Sequence, residues 1–127
     1  MPYRPHVTRA GVAAILVFSL IELVGVGGLG AWLAVQLHFP YAMLTPVAFL
    51  VYGAAGFHAC HAGTDGWIAG AAVAILDAGS WAAFGGIGPQ PSDSSASVIE
   101  RLAPVLVNAV IGAVCGVIGA RASRRVR

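Results

Sequence analysis

From Ala10 to Leu37 the chain is apolar except at Ser19, Glu22 and Gln36. Wound as a helix, such a run is about 42 Å long, which exceeds the hydrocarbon thickness of a bilayer. A stretch this long and this poor in charge has few solutions in water, and it is too long for the apolar core of a signal peptide. No small-x-small cleavage site follows it, so it is expected to remain as the first span of a membrane protein. The rest of the chain agrees. Of its 127 residues, 58% are hydrophobic and 9% charged, against the quarter or so of charged residues that a water-soluble domain uses to cover its surface.

Breaks in the apolar pattern divide the chain into four spans within a single membrane domain, residues 1–127. Phe39-Pro40-Tyr41 ends the first span, about residues 10–37, and a second runs over about 41–62, with Thr45-Pro46 as either an N-cap with a first-turn proline or a kink. Gly63-Thr64-Asp65-Gly66 has the composition of a tight turn, and a third span covers about 66–84. Residues 85–97, rich in Gly, Pro and Ser, read as an aqueous loop. Ser97 and Glu100 then have the spacing of a capping box that starts a fourth span, about 98–120, with Pro104 tolerated near its first turn. The fold class expected is all-α, a bundle of four transmembrane helices. Gly25, Gly27, Gly28 and Gly30 weaken the second half of the first span, where a bend is expected.

Arginine placement sets the orientation. Arg4 and Arg9 precede the first span, and Arg121, Arg124, Arg125 and Arg127 follow the last, leaving Arg101 in the remaining loops. By the positive-inside rule both ends are cytoplasmic, the 63–66 turn is inside and the 85–97 loop outside. All seven basic residues are Arg, a bias that points to a GC-rich bacterial genome and so to a bacterial inner (plasma) membrane. The net charge of +2 sits at the two ends, without the basic tract that nucleic acid would require. Trp32, Trp67, Trp81, Tyr3, Tyr41 and Phe84 fall near span ends, as an interfacial aromatic belt does. Trp81, one turn beyond Asp77, is also placed to wall a cation path.

The chemistry worth seeking lies with two acids. Glu22 is twelve residues from Ala10 and Asp77 eleven from Gly66, so in spans that run the same way both lie about 16 to 18 Å from the cytoplasmic face. An ionisable group at that depth costs several kcal/mol and marks a functional site by default. Ser19 and Ser80 stand one turn from Glu22 and Asp77 respectively, and Asn108 adds an amide on the fourth span. Brought together, the two carboxyls cannot both carry charge, which is the condition for exchanging a proton against a cation. The bland alternative is protonated glue, with the acids donating to Asn108, a serine or a backbone carbonyl.

Other features carry less. His58 and His61 share a helix face, with Cys60 nearly opposite, so the three are weak metal candidates without a further ligand in view. Cys60 and Cys115 are expected as free thiols. Gly112 and Gly116, with Asn108 and Ala120 a turn to either side, form a ridge of small residues. Gly66 and Gly70 begin a second ridge on the third span, leaving one for contact within the chain and one for another chain. Neither a nucleophile-base arrangement nor a phosphate-binding loop is present, so an enzyme is not expected and no cofactor is implied. The run Ile21-Glu22-Leu23-Val24-Gly25, in the first helix of a four-span chain, resembles the small multidrug resistance transporters. That resemblance implies a first-helix glutamate exchanging protons for cationic drugs in an antiparallel dimer. It covers only those five residues, and the long first span, Asp77, the His58/Cys60/His61 cluster and the extended outer loop depart from it.

Two functions follow. One is a small proton-linked transporter or ion-conducting protein using Glu22 and Asp77, with Ser19, Ser80 and Asn108 as supporting ligands for a proton or small cation. The other is a non-catalytic membrane subunit or assembly factor that docks a larger partner through its Gly/Ala ridges. Membrane lipid and a second copy of the chain are the partners expected in either case.

Overall fold

A computed structural model describes residues 3–84 and 98–126, and within them the side chains of 3–80 and 102–126. The expected outer loop 85–97, the Ser97/Glu100 capping box and the side chains of Trp81, Phe84 and Arg101 lie outside the described residues. Those described form helices and short connections, with no strand among them.

The first helix runs unbroken from Arg9 to Leu37 but changes its winding twice. Its opening part, α1 (Arg9–Leu20), is capped by Thr8, whose Oγ1 accepts from the Gly11 amide at 3.0 Å. From Ile21 to Gly30 the helix widens to π winding, and α2 (Ala31–Leu37) completes it. A π segment is ordinarily a single turn. Here it spans ten residues and coincides with the glycines at which a bend was expected. His38, at φ 57°, terminates α2 in the left-handed conformation, and the Phe39 amide closes the end on the Ala34 carbonyl at 3.1 Å.

A 3₁₀ turn (Tyr41–Leu44) leads directly into α3 (Thr45–His61), with Pro46 in its first turn, where the missing N–H costs no bond. Gly63, at φ 86°, reverses the chain, and α4 (Gly66–Phe84) returns. The last helix, α5 (Val98–Val126), is longer than the span read from hydropathy and holds Pro104 in its interior, beyond the first turn.

Three helices, Arg9–Leu37, Tyr41–His61 and Leu102–Val126, are long and apolar enough to cross a membrane, while α4 is apolar over the shorter stretch Gly66–Ser80. That shorter helix packs against the first helix, α3 and α5. Ala69, Gly70, Val73 and Ala74 are buried, and a Cβ on Gly70 would stand 2.0 Å from the Gly112 carbonyl oxygen of α5. One on Gly116 would stand 2.1 Å from the Gly66 oxygen, so the two helices touch backbone to backbone. α3 approaches the other flank of α5 just as closely, since a Cβ on Gly119 would meet the Gly53 oxygen at 1.9 Å. Both glycine ridges expected from the sequence are therefore occupied within the chain, and Gly53 and Gly56 of α3 extend the contact.

Small side chains, Ala55, Ala59, Ala69, Val73 and Ala74, fill the core around Tyr52 and Ile15. Large apolar side chains point outward, among them Leu16, Leu20, Val24, Leu50, Leu106, Val110 and Ile118, each more than half exposed. This is the inverse of a water-soluble fold, in which an exposed apolar surface of that extent would drive association.

Candidate functional site

Four side chains, one from each helical span, converge about halfway along the bundle. Glu22 opens the π segment and is only 2% exposed. Asp77 comes from α4, Tyr52 from α3 and Asn108 from α5, and all four line one cavity of about 140 Å³. The Tyr52 hydroxyl donates to Asp77 Oδ2 at 2.7 Å and accepts from Asn108 Nδ2 at 3.1 Å. Asn108 Nδ2 donates its second hydrogen to the Ala74 carbonyl at 3.0 Å, which fixes the amide in that sense. The chain of donors therefore runs from Asn108 through Tyr52 to Asp77, so this oxygen of Asp77 is held as an acceptor.

Glu22 is held less completely, by a side-chain hydrogen bond with Asp77 alone. Its carboxyl lies within electrostatic reach of Asp77, and its Oε2, shut off from solvent, has no hydrogen-bond partner. A buried carboxyl oxygen left in that state is costly, by roughly 1–3 kcal/mol for a neutral group and more for a charged one. The cavity beside it extends to Tyr41 and Leu44 of the 3₁₀ turn and to Thr45 at the start of α3, where Tyr41 and Thr45 are exposed. In the other direction lies the tightly packed core of Ile15, Ala59, Ala69 and Val73. The site is thus reached from the end of the bundle that carries the Tyr41–Leu44 turn.

Of the residues singled out in the sequence, Glu22, Asp77 and Asn108 come together. Ser19 and Ser80 do not join them. Each spends its hydroxyl on its own helix, Ser19 on the Ile15 carbonyl at 2.7 Å and Ser80 on the Leu76 carbonyl at 2.6 Å, the back-bond that such residues commonly form in helices. Tyr52 was not anticipated. The available signal was its place in mid-span, away from the interfacial level where tyrosines of a membrane protein usually sit.

The histidines lie apart from this cavity. His58 stacks on Phe18 with ring centroids 5.3 Å apart, and His61 Nδ1 pairs with the hydroxyl of the buried Ser123. Among the described residues no three of His, Cys, Asp and Glu gather as a metal site. At the same end of the bundle, residues 3–8 are tied to the α3–α4 turn. Tyr3 donates its hydroxyl hydrogen to Asp65, the His6 amide donates to Asp65 Oδ2 at 3.0 Å, and Trp67 Nε1 donates to the Tyr3 oxygen at 2.8 Å. Thr8 Oγ1 reaches the Ala62 carbonyl at 2.6 Å. These bonds, Tyr3 first and the His6 amide next, hold the Asp65 carboxyl below the usual carboxylate range, and the charges of His6 and Arg124 act in the same direction. The sequence reading treated Asp65 as a turn former only.

No family model matches the chain, and no characterised protein or solved structure matches it either.

Proposed function

We propose that the chain is a four-span integral membrane protein, with both ends cytoplasmic, that exchanges protons for a small cation at Glu22 and Asp77. The observation that carries this reading is the Glu22 carboxyl, almost wholly buried, with one oxygen unpartnered and a second acid across the same cavity. Such a pair is tolerated in a low-dielectric interior when a proton or a cation sits between its members. The outward-facing leucines and valines support the membrane setting, because lipid is the solvent in which they cost nothing.

Size limits the occupant. A cavity of about 150 Å³ accepts benzene, so about 140 Å³ suits a cation of up to roughly six non-hydrogen atoms. Entry past Tyr41 and Thr45 brings it to the carboxyls. The positive charge takes the place of the shared proton, which leaves by the same opening. Tyr52, held by Asn108, keeps Asp77 oriented through the exchange. Release at the cytoplasmic end requires the packed core to part, and the π segment is the element suited to that. Its i→i+5 bonds are less favourable than α bonds, and rewinding any turn moves later residues around the axis by about 100° per residue.

The alternative of a docking subunit loses its proposed surface, since Gly66, Gly70, Gly112 and Gly116 are spent on one another. Reconstituted liposomes with a trapped pH dye test the exchange reading. Addition of sodium, potassium or tetramethylammonium is expected to move protons in wild type, and Glu22→Gln with Asp77→Asn to abolish the response. A doubly neutralised protein that exchanges like wild type ends the transport proposal.

A further inference from the structure

A second cavity lies on the outside of the bundle. It is a groove of about 440 Å³ between α3 and α5, bounded by Phe49, Leu50 and His58 on one side and Cys115, Ile118 and Ala122 on the other. The close crossing of Gly53 and Gly119 forms part of its wall. From Phe49 to His58 it follows about 14 Å of helix, close to the roughly 15 Å depth of one leaflet's hydrocarbon.

The two ends of the groove differ. Toward Phe49 and Cys115 it is apolar, and it reaches the middle of the bundle. Toward His58 and Ala122 it comes to the end where the basic residues gather. Arg125 follows Ala122 by three residues and so continues the row of α5 that lines the groove, with Arg121 on its flank. Both arginines are exposed, as are His58 and His61, and His61 Nδ1 is engaged by Ser123. Asp65, the acid at this end among the described residues, is already occupied by Tyr3 and the His6 amide. A groove with one apolar end, one cationic end and the depth of a leaflet is complementary to a lipid whose headgroup is anionic.

We propose that this groove holds one acyl chain of an anionic phospholipid, whose phosphate is met by Arg125 and Arg121. The proposal rests on the membrane reading given above but not on proton exchange. A single chain bound in this way would fill the gap beside the α3–α5 crossing and tie the last helix to the inner leaflet. Each arginine near an anionic surface contributes about 1 kcal/mol, equivalent to about fivefold in retention.

Native mass spectrometry of the full chain, released from mild detergent after equilibration with mixed phosphatidylglycerol and phosphatidylcholine, reads this directly. Wild type is expected to retain phosphatidylglycerol in preference to phosphatidylcholine, with the preference falling about fivefold for each of Arg121→Ala and Arg125→Ala. Ala122→Trp fills the groove at an exposed position without entering the core and is expected to remove retention of both lipids. Equal retention of the two lipids by wild type overturns the proposal, as does retention unaffected by Ala122→Trp. A dimer that Ala122→Trp dissolves would assign the groove to a second copy and likewise overturn it. Membrane fractionation run alongside separates these outcomes from failure of the membrane reading, which would appear as a chain extracted by carbonate.

Discussion

Tyr52 bridges the two halves of the polar cluster with a single hydroxyl, so Tyr52→Phe separates ring from hydrogen bond. The variant keeps the buried ring and leaves Asp77 Oδ2 and Asn108 Nδ2 each short of a partner. We expect a loss of about 1–3 kcal/mol in thermal unfolding in detergent, together with loss of proton exchange in liposomes. At the end of the bundle that carries the α3–α4 turn, Asp65 offers a residue-scale test that is independent of the cavity. Its folded pKa lies below the unfolded value of about 3.9, because the bonds from Tyr3 and His6 require the charged form. Their contribution is therefore complete above about pH 4, and it disappears as pH falls through the depressed folded value. Amide exchange at His6 and Thr8, corrected for intrinsic rate, is expected to show constant protection between about pH 5 and 8. Protection at His6 should drop at all of those values in Asp65→Asn. Glu22 and Asp77 were legible at this scale because an acid within an apolar run stands out. The hydroxyls of Ser19 and Ser80 misled, since the spacing that put them beside the acids says nothing about which acceptor a rotamer chooses.

Helices in this bundle meet through glycines, and the demands on those glycines differ sharply. Gly70→Ala would push a methyl to 2.0 Å from the Gly112 carbonyl oxygen, a clash with backbone that separation of α4 and α5 alone relieves. A cost of about 1–3 kcal/mol is expected. Gly79→Ala meets nothing within 4 Å and should instead stabilise α4 by about 0.5–1 kcal/mol through backbone entropy. Thermal unfolding of the two variants in one detergent checks both signs. Gly25 also has open space around it, so Gly25→Ala stiffens the π segment without a clash. If rewinding there accompanies release, this variant will be the more stable protein and the slower exchanger. Element existence was readable from apolar run length, and the turn at Gly63 from composition. The π winding was not. Glycines weaken α winding in general, whereas the choice of i→i+5 bonds depends on packing, with Glu22 turned into the bundle and Gly30 lying against Leu44.

Among the described residues the large apolar side chains turn outward and small and polar ones are enclosed, an arrangement compatible with hydrocarbon around it. One consequence is directional. Thr45→Cys, made with Cys60→Ala and Cys115→Ala, places a thiol where the cavity opens. It should react from the outside of intact cells with a membrane-impermeant maleimide, and more slowly in tetramethylammonium. Labelling confined to permeabilised cells would reverse the orientation read from the arginines. Hydropathy alone determined the helical class and the approximate helix ends, because partition of a segment into lipid is close to a sum over its residues. Only the tertiary structure decided that Tyr52 links Asp77 to the expected Asn108 and that both glycine ridges are spent inside one chain. Which side chains meet depends on how each helix is rotated about its axis. Each residue turns that axis by about 100°, so the closest backbone contacts, together with one stretch of altered winding, select the faces that come together.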